Sequence, residues 1–554
     1  MRITGSVFTL ILAGITLPLN AIAAAPAADV KTTTTVQNPH EPATPTIQVY
    51  SRETIVDVTV TDANGKPVTG LQQSDFTIEE NGKPQPIRSF KEFGDEPPPP
   101  AHDLPKLPPG VYTNYQAAPA TGPVNILLLD GFHSNFQLMV YEKQAILDYL
   151  DKMPEGTQVA IFWLSDSGLH LIQGFTSDHT QLVRAMHTQL FGGSNVDPWT
   201  RQWYTIDAFK QLSLYVAGVK GRKNLLWFTP GMPVFLTRDG GYGWHNGDMG
   251  IVHRLMDAYE LLSAQQVAIY PIDPRGPAPM GTSTLLAEEV AEQSGGLALY
   301  NNNDITSLIT KAINHGSRYY TLSYVPPNRK DDGHFHHIKI LVDRPDVHLV
   351  YRNGYNAEQV ARLPPSSGPA GMKAAIEGNA PPATELLFDV EVRAEVVPIP
   401  PAAQHALPGH KAPAKPAIRH RVMFVIPQSQ IAFEDNPDGT HNGSLEFDVA
   451  AYDNNRKLVG LASQTMKLPL TAEEYQDFVK TPFRFLQQVD LPPGPLTLRV
   501  GILDGISKKV GTLEIPLLVP KDPQQLANQP TVNDTPCPPR CALPTPPPAT
   551  PTPR

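Results

Sequence analysis

Asn125-Ile-Leu-Leu-Leu-Asp130 leads into Gly-Phe-His-Ser134, and the next apolar run is Val159-Ala-Ile-Phe-Trp163. An apolar run of strand length that ends in an aspartate, followed by a polar loop and a helical stretch, is how a parallel strand buried on both faces presents a carboxylate at its open end. A central strand is therefore expected at Asn125–Asp130. Reading outward across 123–355, further strands are expected at Gln158–Ser165, Asn224–Thr229, Val267–Asp273 and Ala298–Tyr300. Helical stretches lie near 138–152, 179–191, 204–219, 249–265, 283–294 and 304–315. Alternation at this spacing requires crossover connections. The fold class is α/β, with a doubly wound, mostly parallel sheet. Tyr319–Val325 and His337–Val342 read as strands at its edge.

Both flanks read as β structure. Val56, Val58 and Val60 alternate with polar residues, the period of a half-buried strand. Phe76–Glu80, Asn81-Gly82 and Pro84–Phe90 read as a hairpin with a type I′ turn. This gives a small N-terminal β module over 47–93, joined by a proline-rich linker over 94–122. After a linker over 356–383, residues 384–520 show short strands separated by turns about every ten residues, the pattern of an immunoglobulin-like β sandwich. Within it, Thr471-Ala-Glu-Glu474 is a capping box that opens a short helix.

The chain has 554 residues, 59 of them proline, about twice the usual share. They gather in segments that read as extended linkers, and 24–46 and 521–554 read as disordered. At the N-terminus, Arg2, the apolar stretch Val7–Leu19 and Ala21-Ile22-Ala23 read as a signal peptide over 1–23, with Ala24 as the first mature residue. An uncleaved anchor is the alternative. No later segment has the apolar length of a membrane helix. The expected location is therefore outside the cytoplasm, periplasmic or extracellular. Cys537 and Cys541 both lie in the tail, which leaves the folded part without a disulfide framework or a cysteine metal site. A net charge of -10 and the absence of a basic block argue against a nucleic acid partner.

Several segments together carry a family resemblance: Gly174-Phe-Thr-Ser-Asp178, Gly221 to Gly231, Ile269-Tyr-Pro-Ile-Asp273, Ser294-Gly-Gly296, Tyr319-Tyr-Thr-Leu-Ser-Tyr324, Asp62 to Leu71 and Asp75-Phe-Thr-Ile. With Asp130 and Ser134, they resemble the von Willebrand factor type A-related proteins of the acidobacterial type, over residues 47–355. The resemblance implies a cation site for Mg²⁺ or Ca²⁺, written Asp-x-Ser-x-Ser, completed by a threonine and an aspartate from two later loops. Asp130 and Ser134 match that pattern and are the candidate metal ligands. Phe132 stands where the first serine should be, and Pro230 stands where the later aspartate should be. Ser194 is the candidate for the second-loop position. The implied site is degenerate, so no cofactor is expected, with Mg²⁺ or Ca²⁺ as the alternative. Read without the resemblance, Asp130 is an aspartate that caps its own loop.

The other constellations are weaker. His334 and His336 share one face of a strand, but no third ligand accompanies them. Gly240 to Gly247 is a glycine-rich loop whose Tyr242 and Trp244 offer contacts to a partner. Hydrolase, zinc-protease and phosphate-loop motifs are absent from the sequence. The expected function is a secreted, non-catalytic binding protein of the adhesion type with a protein partner. Its surface would be the carboxyl edge of the sheet: Asp130, His133, Ser134, Ser165, Asp166, Ser194 and Thr229. The competing reading is a hydrolase in which His133 and Asp166 converge on one cleft.

Overall fold

The computed structural model describes residues 53–94, 107–115, 122–189, 196–231, 249–277, 282–327, 334–356, 372–373, 375–376, 380–399 and 417–521. A five-stranded sheet forms the centre of the helical region. Its order is Val267–Ile272, Lys223–Phe228, Val124–Asp130, Val159–Ser165, Gly168–Thr176. The first four strands are parallel and the last is antiparallel. All seven residues of Val124–Asp130 are buried, as the unbroken apolar run requires of a middle strand.

Alternate residues of that strand enter two separate cores. Val124, Ile126 and Leu128 meet side chains of helices Pro198–Val216, Met249–Ala264 and Thr282–Ser294. Leu127 and Leu129 meet helices Phe136–Leu150, His179–Thr188 and Ile305–Ser317. The sheet is thus covered on both faces. The close approach of its middle strands leaves no room at Gly131, where a Cβ would lie 2.7 Å from the carbonyl of Leu164.

Tyr319–Tyr324 and Phe335–Val342 do not join this sheet. Tyr319–Tyr324 pairs antiparallel with Thr54–Asp62 and Ser89–Phe93, and Phe335–Val342 pairs with Phe76–Glu80. Two four-stranded sheets result, and they share a core of Val56, Val58, Ile78, Tyr320, Leu322, Ile338 and Ile340. Phe335–Val342 alternates exposed and buried residues, which suits a sheet with one wet face, whereas Val124–Asp130, Lys223–Phe228 and Val267–Ile272 are buried throughout. The hairpin at Asn81-Gly82 has positive φ at both residues (49° and 75°), as a type I′ turn demands.

Residues 384–520 form two further antiparallel sheets that enclose one core, including Phe388, Val422, Phe424, Phe447, Val449 and Ile502. The Thr471–Glu474 capping box is present. Val111–Thr113, from the proline-rich stretch, adds a strand to this region by pairing with Asp389–Glu391. Among the described residues, no helix is long and apolar enough to cross a membrane.

Candidate functional site

Asp130 ends the middle strand and is fully buried. Its Oδ1 accepts from the Phe132 backbone N–H at 2.9 Å. Its Oδ2 lies 2.9 Å from Nδ1 of His133 and accepts the hydroxyl of Thr229 at 2.9 Å. Thr229 follows the neighbouring strand, so that bond crosses the point where the chain switches from one side of the middle strand to the other. Because the carboxylate is acceptor-only, Nδ1 of His133 carries a proton, and the ring is held in one orientation. The His133 side chain is 17% exposed and lies against Gly231, where a Cβ would come within 3.2 Å of the ring.

Ser134 is turned away from this group. Its hydroxyl donates to Oε1 of Glu142 at 2.7 Å, and the other carboxyl oxygen of Glu142 is buried without a hydrogen-bond partner. Burial pushes the Glu142 carboxyl up to about 8, opposed by the Ser134 bond and reinforced by Asp130 and Asp273. Glu142 was not among the residues singled out by sequence. Its signal was helical spacing: it repeats with the buried Met139, Ile146 and Tyr149 on one face of Phe136–Leu150.

The other expected residues separate. Ser165 lies 2.9 Å from the Ser167 hydroxyl and 3.1 Å from Nε2 of His170, a cluster within its own hairpin. Asp166 is exposed, and His133 is paired to Asp130 rather than to Asp166. Ser194, Tyr242 and Trp244 lie outside the described residues. His336 is buried, with Nδ1 3.2 Å from Oε1 of Glu80 and its ring stacked on Tyr355. It is a core histidine and not part of a surface pair with His334.

Phe132 packs inward at 3% exposure against Tyr204, with ring centroids 5.4 Å apart. A Mg²⁺ or Ca²⁺ ion takes six or more oxygens. Here both oxygens of the one aspartate are engaged by protein donors, Ser134 is committed to Glu142, and positions 132 and 230 supply a ring and an imino acid. This donor set does not fit such an ion. Among the described residues, no group of three or more His, Cys, Asp or Glu side chains is placed to hold a metal.

Helix Phe136–Leu150 starts directly after this loop, capped by Asn135, which accepts from the Leu138 N–H at 2.9 Å. Its first turns expose Phe136 (66%), Val140 (53%) and Tyr141 (45%). From Gly131 to Tyr141 no residue is Lys, Arg, Asp or Glu.

No family model and no curated protein matches the chain. Among solved structures, it is similar to the VWA domain of SpRpn10, at 13% identity and a TM-score of 0.24, over 35% of this chain and 97% of that one. A likeness of that size carries no argument about activity.

Proposed function

We propose that this chain is an exported, non-catalytic binding protein. The parallel sheet and its helices act as a von Willebrand factor type A-like unit of the acidobacterial type with a degenerate cation site, next to an immunoglobulin-like C-terminal sandwich. A signal peptide over 1–23 delivers it to the periplasm or the exterior. Its carboxyl edge docks a protein partner without a metal ion.

One observation carries this reading. Three large hydrophobic side chains, Phe136, Val140 and Tyr141, are exposed within six residues beside an edge whose Asp130 carboxylate and Ser134 and Thr229 hydroxyls are already hydrogen-bonded. Scattered exposed apolar residues are ordinary, but a cluster beside the ligand-binding edge of an α/β sheet marks an interaction surface. Residual Mg²⁺ or Ca²⁺ adhesion through Asp130 and Ser134 is the second reading. The unpartnered oxygen of Glu142 beside Ser134 is what favours it.

A pull-down from the native envelope fraction separates the two readings. The tagged full chain should retain its partner in a chelator and lose it when Phe136→Ser and Val140→Ser are combined. Loss in the chelator alone would favour the cation reading. Retention by the double variant would remove the helix surface from the account.

A further inference from the structure

At the opposite end of the parallel sheet, a buried hydrogen-bond relay joins it to the N-terminal β unit. Arg222 is buried just before the Lys223–Phe228 strand. Its Nη2 donates to the Tyr270 hydroxyl at 3.0 Å and to the Gly295 carbonyl at 2.7 Å, and its Nε donates to Asn224 at 3.2 Å. The Tyr270 hydroxyl lies 3.1 Å from Nδ1 of His315 on helix Ile305–Ser317. A guanidinium only donates, so the Tyr270 oxygen is its acceptor and the hydroxyl proton is directed to His315. His315 must then present a bare Nδ1.

The other face of Arg222 carries the β unit. Its guanidinium lies over the ring of Tyr319, 5.6 Å from the centroid, and that ring stacks on Phe93. Beside it, Gln266 donates to both oxygens of Asp57 at 3.1 and 3.3 Å, and Thr321 donates to Asp57 at 2.6 Å. Lys223 is buried at the same junction, where its ammonium donates to the Gln265 carbonyl at 2.7 Å.

We propose that His315 is an acid-operated latch that holds the β unit of Thr54–Asp62 and Tyr319–Tyr324 against the parallel sheet. Protonating Nδ1 removes the acceptor of the Tyr270 proton and places a second cation beside Arg222. The charged groups around His315 are Arg222 from the sheet side and Lys311 from its own helix, and both oppose that proton. Asp57, across Arg222, is the carboxylate that balances it. Burial first, and then those two cations, push the imidazole down to about 4. The relay is therefore intact at neutral pH and is progressively weakened as pH falls from about 6.5 through about 4.

Hydrogen exchange on the full chain between pH 3.5 and 7, corrected for intrinsic rates, tests this. In the wild type, peptides from Thr54–Asp62 and Tyr319–Tyr324 should lose protection in a step that falls between about pH 6.5 and about pH 4, while Val124–Asp130 stays protected. His315→Gln keeps an acceptor for Tyr270 but does not titrate, and it should remove that step or lower it by more than one pH unit. An unchanged midpoint, or simultaneous loss from all three strands, overturns the latch. Should His315→Gln fail to fold, Tyr270→Phe serves instead. It breaks the relay without a charge and should lower protection of the two β-unit strands at pH 7. Wild-type protection in Tyr270→Phe overturns the proposal equally.

Discussion

Ser134 donates its hydroxyl to Glu142 at 2.7 Å, beneath a loop whose aspartate is already engaged by three other donors. Glu142 is fully buried, and burial pushes its carboxyl from 4.5 up to about 8. The folded chain thus keeps a proton that the unfolded chain releases. Between those two values the folded state binds more protons, so stability falls as pH rises from about 4.5 to about 8 and is then flat. A shift of this size is worth on the order of 5 kcal/mol as an upper bound. Glu142→Gln keeps an acceptor for Ser134 and has no proton to lose. Urea unfolding at pH 5 and pH 9 should show the variant gaining on the wild type at the higher pH. A difference that does not change with pH would show Glu142 to be ionised throughout.

Phe132 fills space between its loop and Tyr204. Phe132→Ser removes the ring, and deletion of a buried aromatic costs about 3 kcal/mol or more. The variant should unfold at clearly lower urea, and added Mg²⁺ should not restore it, because Asp130 keeps its three donors. Stabilisation by Mg²⁺ would mean that the loop can reorganise around an ion.

Gly316 lies on helix Ile305–Ser317 against the amide of Asn224, where a Cβ would sit 2.3 Å from Oδ1. Asn224 is itself fixed, accepting from Arg222 and donating to Asn125 at 3.1 Å. In a helix interior, alanine in place of glycine gains up to about 1 kcal/mol, while overpacking a rigid core costs about 1–3 kcal/mol. The clash should win, and Gly316→Ala should lower the thermal midpoint. A raised midpoint would show that the Arg222–Asn224 cluster is free to move.

The middle strand and its aspartate were legible because a run buried on both faces has no polar interruptions. Phe132 was legible as a departure from the Asp-x-Ser-x-Ser pattern, and burial against Tyr204 is where its ring is favourable. The destination of Tyr319–Tyr324 and Phe335–Val342 was not. Alternation reveals a half-buried face but not which chain segment covers it, and Val56 meets Leu322 across most of the helical region. At the site, the competing hydrolase reading brought His133 and Asp166 to one cleft on residue type alone. The nearer carboxylate, three residues before His133, takes its ring instead. Glu142 escaped notice because a glutamate in a helix reads as solvated unless its phase with Met139 and Ile146 is followed.

Metal dependence of the carboxyl edge bears most directly on the account. Calorimetric titration of the full chain with Mg²⁺, Ca²⁺ and Mn²⁺, alongside Asp130→Ala, is the measurement. The account predicts no saturable binding in the wild type at millimolar ion, and the same thermal midpoint with each ion as in a chelator. Micromolar binding of any of the three that disappears in Asp130→Ala would contradict it.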